Sequence, residues 1–160
     1  MADTVTGADY IVSSLPISSI VEGCVDDLIS SGTIKKGAIW VDTTSGVPSV
    51  SSRIHSKLQD VGVSYLDCGV AGGPGAAEKG TLSAMVGGDQ EELHKVTPVL
   101  DLMMGKVVHI GPVGSGHAVK VTQTLLEAPN QVPQSIKPLN PRLLVGCQQH
   151  ATCDQHLDYL

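Results

Sequence analysis

Short apolar runs alternate with longer stretches whose apolar residues recur every three or four positions. This alternation is the strongest constraint on what the chain can fold into. Residues 10–15 form a short apolar run closed by Pro16 and read as a buried strand. Over residues 18–30, Ile20, Val21, Cys24, Val25, Leu28 and Ile29 fall on one helical face. Ser18 or Ser19 is expected to cap that helix, and Gly32 to end it. Residues 37–42 read as a second strand. Residues 48–61 read as a second helix, with Val50, Ile54, Leu58 and Val61 on one face and Pro48 in the tolerant first turn. Strands are expected at 63–67, 81–86 and 106–110. A helix over 89–104 would be capped by Asp89 with Glu92 three residues on, and another opens over 116–126. Strands separated by helices predict an α/β fold built from parallel βαβ units. Residues 81–86 follow the third strand without a crossover helix and are expected to join it antiparallel.

The regularity stops near residue 127. Of 18 glycines, Gly146 alone lies in residues 127–160, whereas Pro129, Pro133, Pro138 and Pro141 put four of the nine prolines there. Prolines so close together exclude a helix and break a central strand. The reading is a folded portion over 1–126 and a proline-rich, atypical, poorly ordered tail over 127–160. The net charge of −6 excludes a phosphate-backbone binder, and 2% aromatic residues exclude a base-stacking platform, so no nucleic acid partner is expected. No apolar run approaches the roughly 18–20 residues of a membrane span, and no targeting segment is legible at the start of the chain. The four cysteines read as reduced thiols.

Four polar or glycine-rich clusters follow predicted strands: residues 13–16, 42–45, 67–77 and 111–120. Ligands in open α/β sheets bind at the carboxyl ends of strands. Hydroxyls and bare backbone there suit phosphate, ribose or carboxylate, while the same residue types also mark ordinary tight turns. Gly72 and Gly73 allow close backbone approach to an anion, or simply make a flexible loop. The run from Gly111 to Gly116 opens a helix but is not the dinucleotide fingerprint. Lys120 shares a helix face with Thr124. It reads either as a partly buried acid/base group or as a snorkelling surface lysine. In the tail, Cys147, His150, Cys153 and His156 are residue types that bind zinc. A spacing of three drifts around a helix, so four ligands on one helix would not converge, and a polar, unpacked tail is the competing reading.

Together these strings resemble the β-hydroxyacid dehydrogenase family, specifically 3-hydroxyisobutyrate dehydrogenase and its glyoxylate and succinic semialdehyde reductase relatives. The resemblance runs from about residue 8 to 126. It is carried by Leu15 and Pro16, by residues 42–45, 67–77, 80–82 and 85–88, and by Gly114, Ser115, Gly116 and Lys120. It implies a Rossmann-type domain that binds NAD or NADP, followed by a helical domain, and hydride transfer between that cofactor and a short β-hydroxyacid or its aldehyde. By that resemblance this chain holds the later strands of such a sheet, with helices on both faces. Leu15 and Pro16 would be the cofactor-contacting turn, and Ser45 the hydroxyl on the nicotinamide side. Ala71, Gly72 and Gly73 would be the substrate-binding turn, Lys120 the catalytic lysine, and Thr124 its partner one helical turn on. The family carries serine where this chain has Ala71 and asparagine where it has Thr124.

The first strand of that domain with its glycine-rich phosphate loop, and the closing helical domain, are expected to be missing. The alternative reading is therefore a non-catalytic, truncated homologue acting as a binding or dimerisation module. The small-molecule substrate is the expected partner, without membrane association, and an open sheet edge favours self-association into a homo-oligomer. The resemblance implies a mitochondrial or cytoplasmic setting. No metal is expected at the site.

Overall fold

The computed structural model describes residues 2–131 and the side chains of 4–127. Compactness divides the chain into Met1–Leu126 and Glu127–Leu160. In chain order the elements are α1 (Ala2–Val5), β1 (Tyr10–Ser13), α2 (Ser18–Ser31), β2 (Ile39–Asp42), α3 (Pro48–Asp60) and β3 (Ser64–Ala71). There follow α4 (Gly73–Glu78), β4 (Leu82–Gly87), α5 (Gln90–Leu100), β5 (Met104–Gly111) and α6 (Ser115–Gln131). The strands lie side by side in sequence order. β1, β2 and β3 are parallel, β4 joins β3 antiparallel, and β5 is parallel to β4. The α/β architecture and the antiparallel addition agree with the sequence pattern.

Both faces of the sheet are covered. Val21, Val25 and Leu28 of α2 and Ile54 and Leu58 of α3 bury Ile11, Trp40 and Tyr65 on one face. Leu93, Val96 and Leu100 of α5 bury Ile39, Val41, Leu66, Cys68, Ala84 and Val86 on the other. Successive strand residues point to opposite faces, so near-continuous apolar runs such as residues 38–41 serve two cores at once.

Several local expectations change. α2 starts without a side-chain cap, its N-cap being Ile17. The Ser18 hydroxyl instead accepts from the Val47 amide at 2.8 Å, which ties the start of α2 to the loop before α3. Gly32 does end the helix, at φ 64°. Asp89 caps α5 through the amides of Glu91 and Glu92, but that helix ends at Leu100 and β5 begins at Met104. β3 runs on to Ala71 because its second half pairs with β4, from Asp67 opposite Gly87 to Ala71 opposite Ser83. The stretch read as an open glycine loop after β3 contains the short helix α4.

Among the described residues, no helix is long and apolar enough to cross a membrane. No cluster of three or more histidine, cysteine, aspartate or glutamate residues among them could hold a metal. Cys147, His150, Cys153 and His156, and the order of the tail beyond residue 131, lie outside the described residues.

On the outer surface α2 and α3 are cross-linked by charge. Arg53 donates twice to the Glu22 carboxylate, at 2.9 and 3.1 Å, and Lys57 reaches Glu22 at 3.1 Å and Asp26 at 2.8 Å. The Arg53 guanidinium, and then Lys57, hold the Glu22 carboxyl at about 2, below its ordinary 4.5. A carboxylate depressed in this way stabilises the fold fully above about 4.5 and loses that contribution as pH falls through about 2. Glu22→Gln should therefore lower stability at pH 7 by no more than about 1 kcal/mol, the range of solvent-screened pairs. The gap between wild type and variant should close between pH 4.5 and 2 in urea titrations.

Candidate active site at the strand ends

The antiparallel pairing of β3 and β4 reorders the strand-end clusters. The carboxyl ends of β1, β2 and β3 share one edge of the sheet, but β5 runs the other way. β5 ends at Gly111, in the row of Gly87, Asp67, Asp42 and Ser13, and the glycine run 111–114 turns the chain around there, with Gly114 returning to Asp67. α6 then carries Lys120 and Thr124 back along the sheet face.

The seat of α6 is made by missing side chains. A Cβ on Gly116 would overlap the Met85 carbonyl and stand 2.6 Å from the Asp67 carbonyl oxygen. A Cβ on Gly69 would stand 2.7 Å from both the Gly116 oxygen and the Lys120 Cβ. On Gly87 it would stand 2.5 Å from Asp67 Oδ1. The first turn of α6 thus rests directly on the backbone of β3 and β4. The fully buried Asp67 carboxylate fixes it there, accepting the Gly114 amide at 2.6 Å and the His117 amide at 2.8 Å. A carboxylate at a helix amino end satisfies amides that the helix leaves unpaired and meets the positive end of its dipole.

A second buried network fixes the ends of β1 and β2. Asp42 Oδ1 accepts the Ser13 hydroxyl at 2.9 Å and the Thr44 amide at 3.1 Å, and Oδ2 accepts the Tyr65 hydroxyl at 3.0 Å. Trp40 Nε1 donates to the Ser13 hydroxyl at 2.9 Å. Burial, and then the Asp42 carboxylate, push the Tyr65 phenol well above its ordinary value, so it stays a donor. The Thr43 amide and hydroxyl both donate to the Ser13 carbonyl, and the Leu15 amide donates to the Thr44 hydroxyl at 3.0 Å. The turn after β1 and the loop after β2 are thereby one unit. None of this network beyond the strand-end residues was legible in the sequence.

Ser45, Gly46, Lys120, Val121, Thr124 and Leu125 line one cavity of about 250 Å³. The structure thus brings Ser45, Lys120 and Thr124 together from elements 75 or more positions apart in sequence. Lys120 is half-buried, while Ser45 and Thr124 are exposed. Leu15 is joined to this loop through Thr44, and the exposed Pro16 follows it. Ala71 lies two residues beyond Gly69 on β3, so it shares the strand face that Lys120 packs against. Gly72 and Gly73, with φ of 133° and 67°, form the amino end of α4 and do not line the cavity. The Thr124 hydroxyl donates to the Lys120 carbonyl at 3.0 Å, so its single proton is committed to the helix backbone. Burial, then the Asp67 and Asp42 carboxylates, push the Cys68 thiol up to about 12, which makes it an inert core residue. A larger depression of about 520 Å³ lies at the opposite edge among His55, Gln59, Ser64, Asp89 and Glu92. Pro112 and Val113, just after β5, also line it, but none of the residues of the clusters after β1, β2 and β3 does.

Residues 1–111 match the family model of the NAD binding domain of 6-phosphogluconate dehydrogenase. An NAD-dependent L-serine dehydrogenase of Pseudomonas aeruginosa is 38% identical over 127 residues, covering 79% of this chain and 43% of the relative. A probable 3-hydroxyisobutyrate dehydrogenase of Mycobacterium tuberculosis is 31% identical over 130 residues, covering 81% and 44%. The solved structure of 3-hydroxyisobutyrate dehydrogenase from Mycobacterium tuberculosis with L-serine superposes with a TM-score of 0.77 at 30% identity, covering 82% of this chain and 44% of that one. The chain thus spans less than half the length of these relatives.

Asp67→Ala leaves two buried amides unpaired and should lower the unfolding free energy by about 2–4 kcal/mol. Asp67→Asn keeps one acceptor oxygen and should lose less. Urea unfolding of the two variants measures the difference.

Proposed function

The chain belongs to the family of the NAD binding domain of 6-phosphogluconate dehydrogenase, and from that membership we propose that its strand-end cavity is the reacting side of an NAD(P)-dependent β-hydroxyacid dehydrogenase. The observation that carries the proposal is the cavity shared by Ser45 and Lys120. The donor set fits a nicotinamide: Val121 and Leu125 offer apolar walls for the ring, and the Ser45 hydroxyl offers a hydrogen-bonding partner for its amide edge. Leu15 and Pro16, held to that loop through Thr44, would flank the cofactor on its other side.

A nicotinamide held by Ser45, Leu15 and Pro16 would supply the hydride acceptor for the carbinol carbon and, in reverse, the hydride donor for the aldehyde. Lys120 Nζ takes the hydroxyl proton as the carbonyl forms and gives it back in the reverse direction. The amides of Gly72 and Gly73, with no Cβ in the way, would hold the substrate carboxylate. Its location on a half-buried helix face limits the water around Lys120 and fixes the direction of its stem. The substrate class is a short β-hydroxyacid, by analogy with relatives named for 3-hydroxyisobutyrate and L-serine.

Two observations favour a second reading, a homologue that binds ligand without turnover. Ala71 brings a methyl group where the family places a hydroxyl, and the Thr124 proton is held by the Lys120 carbonyl. Losing one positioned donor costs about 10²–10³ in rate.

The 160-residue chain, incubated with NAD⁺ or NADP⁺ and 3-hydroxyisobutyrate, L-serine or 2-(hydroxymethyl)glutarate, should form reduced cofactor, read by absorbance. Lys120→Ala should lower kcat by about 10²–10⁴ with cofactor Kd within about twofold. Equal turnover in the variant would overturn the role of Lys120. Cofactor binding without turnover on any of the three would favour the second reading.

A further inference from the structure

His117 lies within the 111–120 cluster, between Gly116 and Lys120, and is completely buried. Its three polar attachments reach three different elements. The backbone amide donates to Asp67 on β3 at 2.8 Å. Ring Nδ1 lies 2.8 Å from the Ser51 hydroxyl on α3, and ring Nε2 lies 3.3 Å from the Asp42 carbonyl at the end of β2. A carbonyl can only accept, so Nε2 carries the proton of that bond, and Nδ1 accepts from Ser51. The Ser51 oxygen is also 3.3 Å from the Val47 carbonyl, a longer contact than the 2.8 Å to Nδ1. The ring also presses on the loop that follows Asp42. A Cβ on Gly46 would fall onto Nδ1 and Cε1 and stand 2.9 Å from Cγ. Gly46 is buried, and its conformation is an ordinary one. The ring, not the backbone torsion, is what requires glycine there.

We propose that His117 is a positioning residue of the site: its imidazole pins the loop of residues 42–46 to the first turn of α6 and so sets where Ser45 stands against Lys120. Positions 117 and 120 lie one turn apart on α6 and share a face. Ser45, Gly46 and Lys120 line the same cavity. The near part of the loop is held independently, through Thr43 and Thr44 to Ser13, Leu15 and Asp42. Val47 at its far end is held by Ser18. Between those anchors the imidazole is the contact that locates Gly46. The consequence for reaction rests on the dehydrogenase reading. The consequence for the loop does not.

Two variants and two readouts separate these. His117→Phe keeps a ring and removes both ring hydrogen bonds, and His117→Gln keeps an N–H in reach of the Asp42 carbonyl. Backbone order parameters of the 160-residue chain, measured by ¹⁵N relaxation, require no turnover. In His117→Phe, Ser45 and Gly46 should fall from the rigid range of about 0.85 to below about 0.6, with Leu66 and Val86 unchanged and His117→Gln largely restored. Unchanged Ser45 and Gly46 in a folded His117→Phe chain would overturn the proposal, and so would equal loosening of the whole sheet. If His117→Phe does not fold, Ser51→Ala removes one tether with the imidazole in place and should give an intermediate drop confined to residues 45–46. No drop there overturns the proposal. Where the wild type turns over, His117→Phe should lower kcat at least about tenfold, with KM for cofactor within about twofold, as loss of orientation does. Absence of wild-type turnover counts against the dehydrogenase reading and leaves the order parameters to decide this one.

Discussion

The direct contact of a helix with two strands, backbone against backbone, governs the rest of this structure. Gly69, Gly87 and Gly116 remove the side chains that would hold α6 away from β3 and β4. Asp67 then locks the helix in place by accepting two of its amides in the core. Interiors packed at crystal-like density do not absorb an added methyl group without shifting something. The position of Lys120 is therefore a consequence of Gly116 on its own helix and of two glycines and one carboxylate on other elements. The same seat places His117 against the loop of residues 42–46, whose Ser45 and Gly46 line the cavity with Lys120.

The direction of the strands explains why that seat is needed. With β1, β2 and β3 parallel, their carboxyl ends form a binding edge in the usual sense of an open α/β sheet. The antiparallel turn into β4 reverses the chain, and β5 runs away from the carboxyl end of β3, ending at Gly111 in the row of Asp67 and Asp42. A helix that simply continued the direction of β5 would lead away from the binding edge. α6 begins against the middle of β3, at Asp67, and runs past Gly69, which delivers the lysine to the edge where Ser45 lies.

Much of this was legible in the sequence. Apolar periodicity located every strand and the longer helices, because each buries a stripe or a face against the sheet. The absence of a crossover helix before residue 81 foretold the reversal at β4, though not its effect on the cluster at 111–120. The short helix α4 was missed because glycine and proline at its start read as a loop. Ser45 and Lys120 could be named from the resemblance. Their meeting in one cavity could not, since nothing in local pattern relates positions 75 apart. The polar networks were hidden for the same reason. Asp42 finds Ser13, Tyr65 and the ring of His117, and Asp67 finds the amides of α6, only once the sheet has formed. Serine, aspartate and histidine in those places look like ordinary turn residues until their partners are seen.

Titration of the ¹⁵N-labelled chain with NADH and with NADPH, followed by amide chemical shifts, tests the central claim most directly. The account predicts that the largest changes fall at Leu15, Ser45, Gly46 and the amides around Lys120. Changes centred on His55, Asp89 and Glu92 at the opposite edge, or none at millimolar cofactor, would contradict it.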